Sequence, residues 1–290
     1  MEVEINPSVV AIAVSTSYPK WYQGKLRSLK HTDKIRGDLA LELFKKSITF
    51  GYQIVVVDTL SSKTFRHQLY LIKDLNLIKK HVKTKRSPGR RLAFKVASEL
   101  KDVKTIIYTD PEKVSLIDFI PAVVKPILEN KADIVIPKRN PDLFKSTYPP
   151  YQYESETEGN KLYNEQLRAT NLLSAQSPDL DMFFGPRAFK NDPKILRLFT
   201  KKFVFRARER KLLSSLEFDV EDYSNAIFFP VISALKKKLR IESIEVRFSY
   251  PKIQKDNEEI GSKELFIEKR RAQRMSILIE LMYFINSLEK

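Results

Sequence analysis

Two carboxylates one residue apart, Asp110 and Glu112, stand in Thr109-Asp110-Pro111-Glu112, directly after the apolar, β-branched run 105–108. On an extended chain such a pair can share a hard divalent cation, which takes oxygen ligands and fills its remaining positions with water or substrate phosphate. Pro111 has no amide hydrogen to give to a sheet ladder, so the strand must stop before it. Both acids are thereby delivered at the carboxyl end of a strand, where ligands of open α/β sheets bind. Asp-x-Glu is also a common strand-to-helix turn whose acids cap the next helix, and spacing alone leaves both readings open.

A second stretch carries chemistry of the opposite sign. Ser87-Pro88-Gly89-Arg90-Arg91 has a favoured N-cap, then proline where a helix begins. The spacing of Leu92, Val96 and Leu100 predicts a helix to about residue 100. Arginine in a first turn opposes the helix dipole. An anion such as a diphosphate on the free amides would resolve that conflict; two arginines on an ordinary basic surface is the other reading. Asp58 is a third polar group at the end of an apolar run, 53–57, and the turn 59–62 follows it.

The elements that must position these groups are legible as alternating strands and helices. Residues 9–14, 53–57, 77–82, 104–108 and 132–137 read as strands, the third of them weak. Helical spacing covers 36–47, 63–75 and 88–100, and 114–128 reads as a helix broken by Pro121 and Pro126. This alternation predicts a doubly wound, mostly parallel sheet with right-handed crossovers. Residues 141–159, rich in Pro, Tyr, Ser and Glu, read as a loop over the sheet edge, followed by a helix over 160–173. Residues 179–189 read as a short strand closed by Gly185-Pro186. A helix bent at Pro230 follows to about 239, then a half-exposed strand over 241–250 and a long basic-to-apolar helix over 263–288.

Composition bounds the class. With 290 residues, 42% of them hydrophobic, the chain can bury a substantial core. It has no cysteine, which excludes disulfides, thiolate metal sites and cysteine nucleophiles, and only three histidines, His31, His67 and His81. A net charge of +16 fits either a lysine-rich solvated surface or a polyanionic partner. No N-terminal run has the layout of a signal peptide and no apolar run of roughly 18 residues occurs, so the expectation is a cytoplasmic protein.

Six segments follow one another in a telling order: Ala11-Ile12-Ala13-Val14-Ser15-Thr16-Ser17; Val55-Val56-Val57-Asp58-Thr59-Leu60-Ser61; Gly89-Arg90-Arg91 with Ala97; Thr109-Asp110-Pro111-Glu112; Gly185-Pro186-Arg187-Ala188-Phe189; and Glu221-Asp222. Over roughly residues 8–250 this order resembles the GT-A (nucleotide-diphospho-sugar transferase) fold, and family 2 glycosyltransferases in particular. The resemblance implies an α/β fold: a Rossmann-like, mostly parallel sheet flanked by helices, with a C-terminal helical extension. It implies a nucleotide-sugar-binding half over 1–140, an acceptor half over 141–260, and a helix over 261–290 packed on them. It implies donor contacts from Ser15, Thr16, Asp58, Ser61, Arg90, Arg91, Asp110 and Lys113. Mn²⁺ or Mg²⁺ would sit on Asp110 and Glu112. Gly185 and Arg187 would face the acceptor, and Glu221-Asp222 matches a pair whose Asp is the base in inverting members. Tyr151, Gln152, Glu154 and Glu156 are the candidate acceptor wall. Glu112 after a proline departs from the usual Asp and resembles the variant motifs of the mannosylglycerate and glucosyl-3-phosphoglycerate synthase type. In those a late His completes the metal site, whereas this chain has Tyr250-Pro251 there and no His beyond His81. Metal dependence and stereochemistry therefore stay open.

The expected partners are a UDP-, GDP- or ADP-linked sugar and a lipid-linked or small-molecule acceptor. The C-terminal helix could pack on the sheet layers, form a homodimer contact or lie on an anionic membrane. Three alternatives stand beside this reading. One is a basic nucleic-acid-binding protein using residues 201–211, with six basic residues among Phe203 and Phe205. Another is a transferase homologue that binds a sugar nucleotide without turnover. The last, a nucleotidyltransferase, lacks its usual Gly- and Arg-containing signature after the first strand.

Overall fold

The computed structural model of the chain describes residues 5–79, 87–205, 221–261 and 263–288. The alternating apolar runs become β1 (Val10–Thr16), α1 (Thr32–Thr49), β2 (Gln53–Asp58), α2 (Lys63–Leu71), β3 (Leu75–Lys79), α3 (Ser87–Glu99) and β4 (Thr105–Tyr108). Then follow α4 (Ile120–Leu128), β5 (Ile134–Arg139), α5 (Pro141–Thr147), α6 (Pro150–Ala169), β6 (Arg187–Lys190) and α7 (Pro193–Thr200). Beyond the gap in description come α8 (Glu221–Ile227), α9 (Phe229–Lys236), β7 (Ile241–Val246), α10 (Lys252–Asp256) and α11 (Lys263–Leu288).

The strands form one seven-stranded sheet in the order β3-β2-β1-β4-β6-β5-β7. Only β6 runs against its neighbours; the pairs β1–β2, β2–β3, β1–β4 and β5–β7 are parallel. This is the mostly parallel, helix-flanked GT-A-like α/β sheet that the segment order implied. Its core divides by the two-residue period of a strand. Ala11 and Ala13 of β1 face the layer of α3, α7, α8, α9 and α11, while Val10, Ile12 and Val14 face the layer of α1, α2 and α4. Both layers being buried is why the strands read as continuous apolar runs.

The second half departs from expectation in three places. Residues 141–159 are helical instead of a loop. Asn140 caps α5 by accepting from Leu143 N at 3.2 Å, and Pro141 and Pro150 each stand in a first turn, where proline is favoured. Residues 179–189 form a 3₁₀ turn (Met182–Phe184), then Gly185 at φ 101°, then β6. The bend near Pro230 is a full break between α8 and α9, with Pro230 in the first turn of the second helix. The nucleic-acid alternative also loses its stacking platform: Phe205 is buried, and Phe203 packs edge-on against Phe229 and Phe284. Most of the basic run 201–211 lies outside the described residues.

The long C-terminal helix, α11, turns Phe266, Ile277, Leu281, Phe284 and Ile285 inward, against a layer that includes α6, α8 and α9. Those inward residues pack on the domain, while Leu265, Ile267, Met275 and Met282 of the same helix are exposed. No described helix is long and apolar enough to cross a membrane.

Candidate functional site

Strand β1 lies between β2 and β4, so chain connections leave it in opposite directions and a crevice opens at the carboxyl ends of β1 and β4. A cleft of about 510 Å³ occupies this place. Ser15, Thr16 and Tyr18 line it from the end of β1, Arg90 from α3, and Tyr108, Asp110, Glu112 and Lys113 from the end of β4. The opposite wall is made by Tyr148, Gln152, Glu156, Phe184 and Tyr250, with Arg270 of α11 above them.

At the donor end the side chains are linked in chains. Arg90 Nε donates to the Tyr108 hydroxyl at 2.9 Å, and that hydroxyl donates to Asp110 Oδ1 at 2.9 Å. Lys113 Nζ meets the other carboxylate oxygen at 2.6 Å. Burial by itself would raise the Asp110 carboxyl. The Lys113 charge and hydrogen bond, with Arg90 and Tyr108, outweigh it and hold the group down to about 2. Glu112 accepts from the Tyr18 hydroxyl at 3.0 Å. Behind β1, Thr16 Oγ1 donates to Asp58 Oδ1 at 2.8 Å, while Asp58 Oδ2 is buried with no hydrogen-bond partner.

The far wall is a buried polar network. Arg139, at the end of β5, grips Asp181 with Nε and NH2 at 2.8 and 2.7 Å and reaches Glu156 with NH1. Its guanidinium lies 3.6 Å from the centroid of Phe144. Gln152 Nε2 donates to the other Glu156 oxygen at 2.8 Å, which leaves Gln152 Oε1 to accept from Arg270 at 3.0 Å. Below Arg270, in the π-turn Asn257–Gly261, Glu258 is wholly buried and accepts from Arg36 and Tyr250, each at 3.0 Å. Burial pushes the Glu258 carboxyl up, and the Arg270 and Arg36 charges more than reverse this. The network ties α1, α6 and α11 to one cleft.

Of the donor-side residues expected from the sequence, the structure brings Ser15, Thr16, Arg90, Asp110, Glu112 and Lys113 together on the cleft, with Asp58 just behind Thr16. Ser61 is buried and accepts from Tyr18 N at 2.9 Å, so it shapes the β1 loop and does not face the cleft. Arg91 does not line the cleft either, since it lies one residue, about 100° of helix, from Arg90. On the acceptor side only Gln152 and Glu156 line it. Glu154 is exposed because two residues on a helix point to different faces. Tyr151 donates to the Glu258 carbonyl. Gly185 forms the turn before β6, and Arg187 is wholly buried, donating to the Pro186 and Met182 carbonyls. Arg187 is therefore a structural residue beneath that turn. Glu221 and Asp222 open α8, and their side chains lie outside the described part.

Tyr18, Arg36, Tyr108 and Arg270 are cleft residues that the sequence did not announce, while Tyr250, which stands where the resembled family has its late His, does line the cleft. For Arg270 a signal existed. It shares one helical face with Phe266, Ile277, Leu281 and Phe284, and a charge on an apolar face marks a buried polar contact.

The implied Mn²⁺ or Mg²⁺ finds a poor donor set. Both oxygens of Asp110 are engaged, one by an ammonium group, and Glu112 is directed to Tyr18. Among the described residues no three Asp, Glu, His or Cys side chains come together to hold a metal ion.

Fold and cleft thus define a class, a mostly parallel, helix-flanked α/β protein with a charged cleft at its switch point. No protein-family model and no curated protein matches the chain. Several solved structures are similar to it at low identity. One is 4-diphosphocytidyl-2C-methyl-D-erythritol synthase from Anaerococcus prevotii DSM 20548 (11% identity, TM-score 0.44, covering 90% of this chain and 100% of that one). Another is a CMP:2-keto-3-deoxy-manno-octonic acid synthetase complexed with CTP (9%, 0.45, 92% and 99%). A third is glucosyl-3-phosphoglycerate synthase of M. tuberculosis (12%, 0.44, 92% and 80%). Likeness at this level carries no argument about substrate or residues.

Proposed function

We propose that the chain is a transferase that binds a nucleotide-diphosphate sugar at the carboxyl ends of β1 and β4 and passes the sugar to an acceptor hydroxyl held on the opposite wall. One observation carries this reading: Ser15, Thr16, Arg90, Asp110, Glu112 and Lys113, from three separate segments, open on a single cleft at the switch point of the sheet. Arg90 and Lys113 supply charge-assisted donors for a diphosphate. The buried Asp58, directly behind Thr16, has one oxygen without a partner to offer a nucleoside hydroxyl or ring N–H. Gln152 and Glu156, rigidly oriented by Arg139 and Arg270, offer acceptors for the incoming hydroxyl, and Tyr148, Phe184 and Tyr250 offer ring faces for a sugar. Asp222, at the start of α8, is the proposed base if the reaction inverts. A positioned base contributes about 10²–10⁴-fold.

Because the implied Mn²⁺ or Mg²⁺ has no ready donor set, no step of this reading passes through one. The test is a thermal-shift panel of UDP-, GDP- and ADP-sugars. A ligand of the folded state raises its melting temperature by mass action, by about 2.7 kcal/mol of stability at a hundredfold excess over Kd. At least one nucleotide sugar is expected to shift the protein at millimolar concentration; a flat panel defeats the proposal.

A further inference from the structure

We propose that the counter-charge for the donor diphosphate is built into the chain: Lys113, with Arg90, takes the position a divalent cation would hold, and Asp110 anchors Lys113 instead of ligating a metal. The inference rests on the reading of the cleft as a nucleotide-diphosphate site, and concerns what neutralises the phosphates there.

The local sequence builds the arrangement. Asp110-Pro111-Glu112-Lys113 is a four-residue turn closed by Lys113 N donating to Asp110 O at 3.1 Å, and proline at its second position pre-sets the backbone for such a turn. The turn folds the lysine back on the aspartate, Nζ to Oδ2 at 2.6 Å. The other Asp110 oxygen is held by the Tyr108 hydroxyl, itself under Arg90 Nε. Asp110 is thus oriented from both sides by one connected set, Arg90, Tyr108 and Lys113. Glu112 is turned to Tyr18 on the β1 loop. A metal ion on Asp110 would displace the ammonium and leave a dication and a lysine charge side by side, a repulsive arrangement at this spacing.

Lys113 remains available to a ligand while anchored. An ammonium carries three donors. Asp110 takes one, the Phe184 ring lies 5.5 Å from the nitrogen, and the residue lines the cleft. A lysine binds phosphate as a point charge, and two of its three donors are not taken by Asp110. Arg90, on the first turns of α3, lines the same cleft and adds a planar donor.

The experiment measures binding of UDP, GDP and ADP by isothermal calorimetry and thermal shift, each in EDTA and in millimolar Mn²⁺ or Mg²⁺. It compares wild type, Lys113→Ala and Lys113→Arg, with the ligand-free melting temperature of each variant as the check on folding. The expected result is a nucleoside diphosphate bound by the wild type with the same Kd, within about twofold, in EDTA and in metal. Lys113→Ala should weaken it at least tenfold in EDTA, and added Mn²⁺ should recover part of the loss because Asp110 is released. Lys113→Arg should bind in EDTA. Wild-type binding that vanishes in EDTA and returns with Mn²⁺ overturns this inference and leaves the nucleotide-site reading standing. A folded Lys113→Ala variant that binds like wild type in EDTA also overturns it. Binding of no nucleotide in any condition overturns the underlying reading and this inference with it.

Discussion

Asp110 shows how much of the cleft's chemistry is decided one residue at a time. It is a mostly buried acid, yet Lys113, Arg90 and Tyr108 keep it ionised, with its carboxyl held to about 2 against a usual 3.8. A folded-state value below the unfolded one means that the group stabilises the fold at pH above about 4. That contribution drains away as pH falls from there through about 2. Holding the carboxyl this far down corresponds to on the order of 2 kcal/mol, an upper figure because the side chain is 23% exposed. Asp110→Asn is therefore expected to be less stable than wild type at pH 7 and to lose less stability on acidification. Urea denaturation at pH 7, 4, 3 and 2.5 checks this. Parallel stability curves for the two proteins would show that the carboxylate and Lys113 do not interact as described.

At the scale of elements, the cleft depends on how closely α3 approaches the ends of β1 and β2. Gly89 sits in the first turn of α3, where a β-carbon would stand 2.9 Å from Ser15 Oγ and 3.2 Å from Thr59 Cγ2. The missing side chain lets this helix pack closely on Ser15 and Thr59, and from its next residue Arg90 reaches Tyr108. Gly89→Val should push α3 away from both strand ends, costing about 1–3 kcal/mol by overpacking. It should also abolish any thermal shift by nucleotide sugar, because Ser15 and Arg90 lie on the two sides of the displaced contact. Thermal melts with and without ligand read both effects. Retention of the wild-type ligand shift would separate α3 from the site. The network under α11 is the other element-scale device. Arg139, Glu156, Gln152, Arg270, Glu258 and Arg36 join β5, α6, α11, the turn Asn257–Gly261 and α1 through polar and charged side chains, and breaking one partner of such a buried set is more damaging than its net stabilisation suggests.

Over the whole molecule, the C-terminal helix belongs to the core and to the cleft together. Phe266, Ile277, Leu281, Phe284 and Ile285 are each at most 4% exposed. At about 1.5–3 kcal/mol per buried side chain their burial is comparable to the whole stability of an ordinary domain, about 5–15 kcal/mol. A chain ending at residue 261 should therefore fail to melt cooperatively in far-UV circular dichroism, and should expose apolar surface to a hydrophobic dye. A cooperative transition in that truncated chain would mean that α11 is an appendage, and that Arg270 is dispensable to the far wall.

What the sequence determined by itself was the first half of the sheet and the placing of Asp110, Glu112 and Asp58 at strand ends. There the signals are local. Buried parallel strands are continuous apolar runs, Pro111 ends a ladder, and Ser87-Pro88 starts a helix, each within a few residues of the group it positions. The sequence also bounded the C-terminal helix at Lys263–Leu288, a long basic-to-apolar run without glycine or proline. The tertiary structure decided the rest. Helix α5 and the first half of α6 were hidden because residues 141–159, rich in Pro, Tyr, Ser and Glu, are loop-like in composition, and the buried face there, Gln152 and Glu156, is polar where it meets Arg139 and Arg270. Arg36, Glu258 and Arg270 are brought together across more than two hundred residues of chain. Pairing energies of that kind depend on distance and burial in space, neither of which a linear pattern contains.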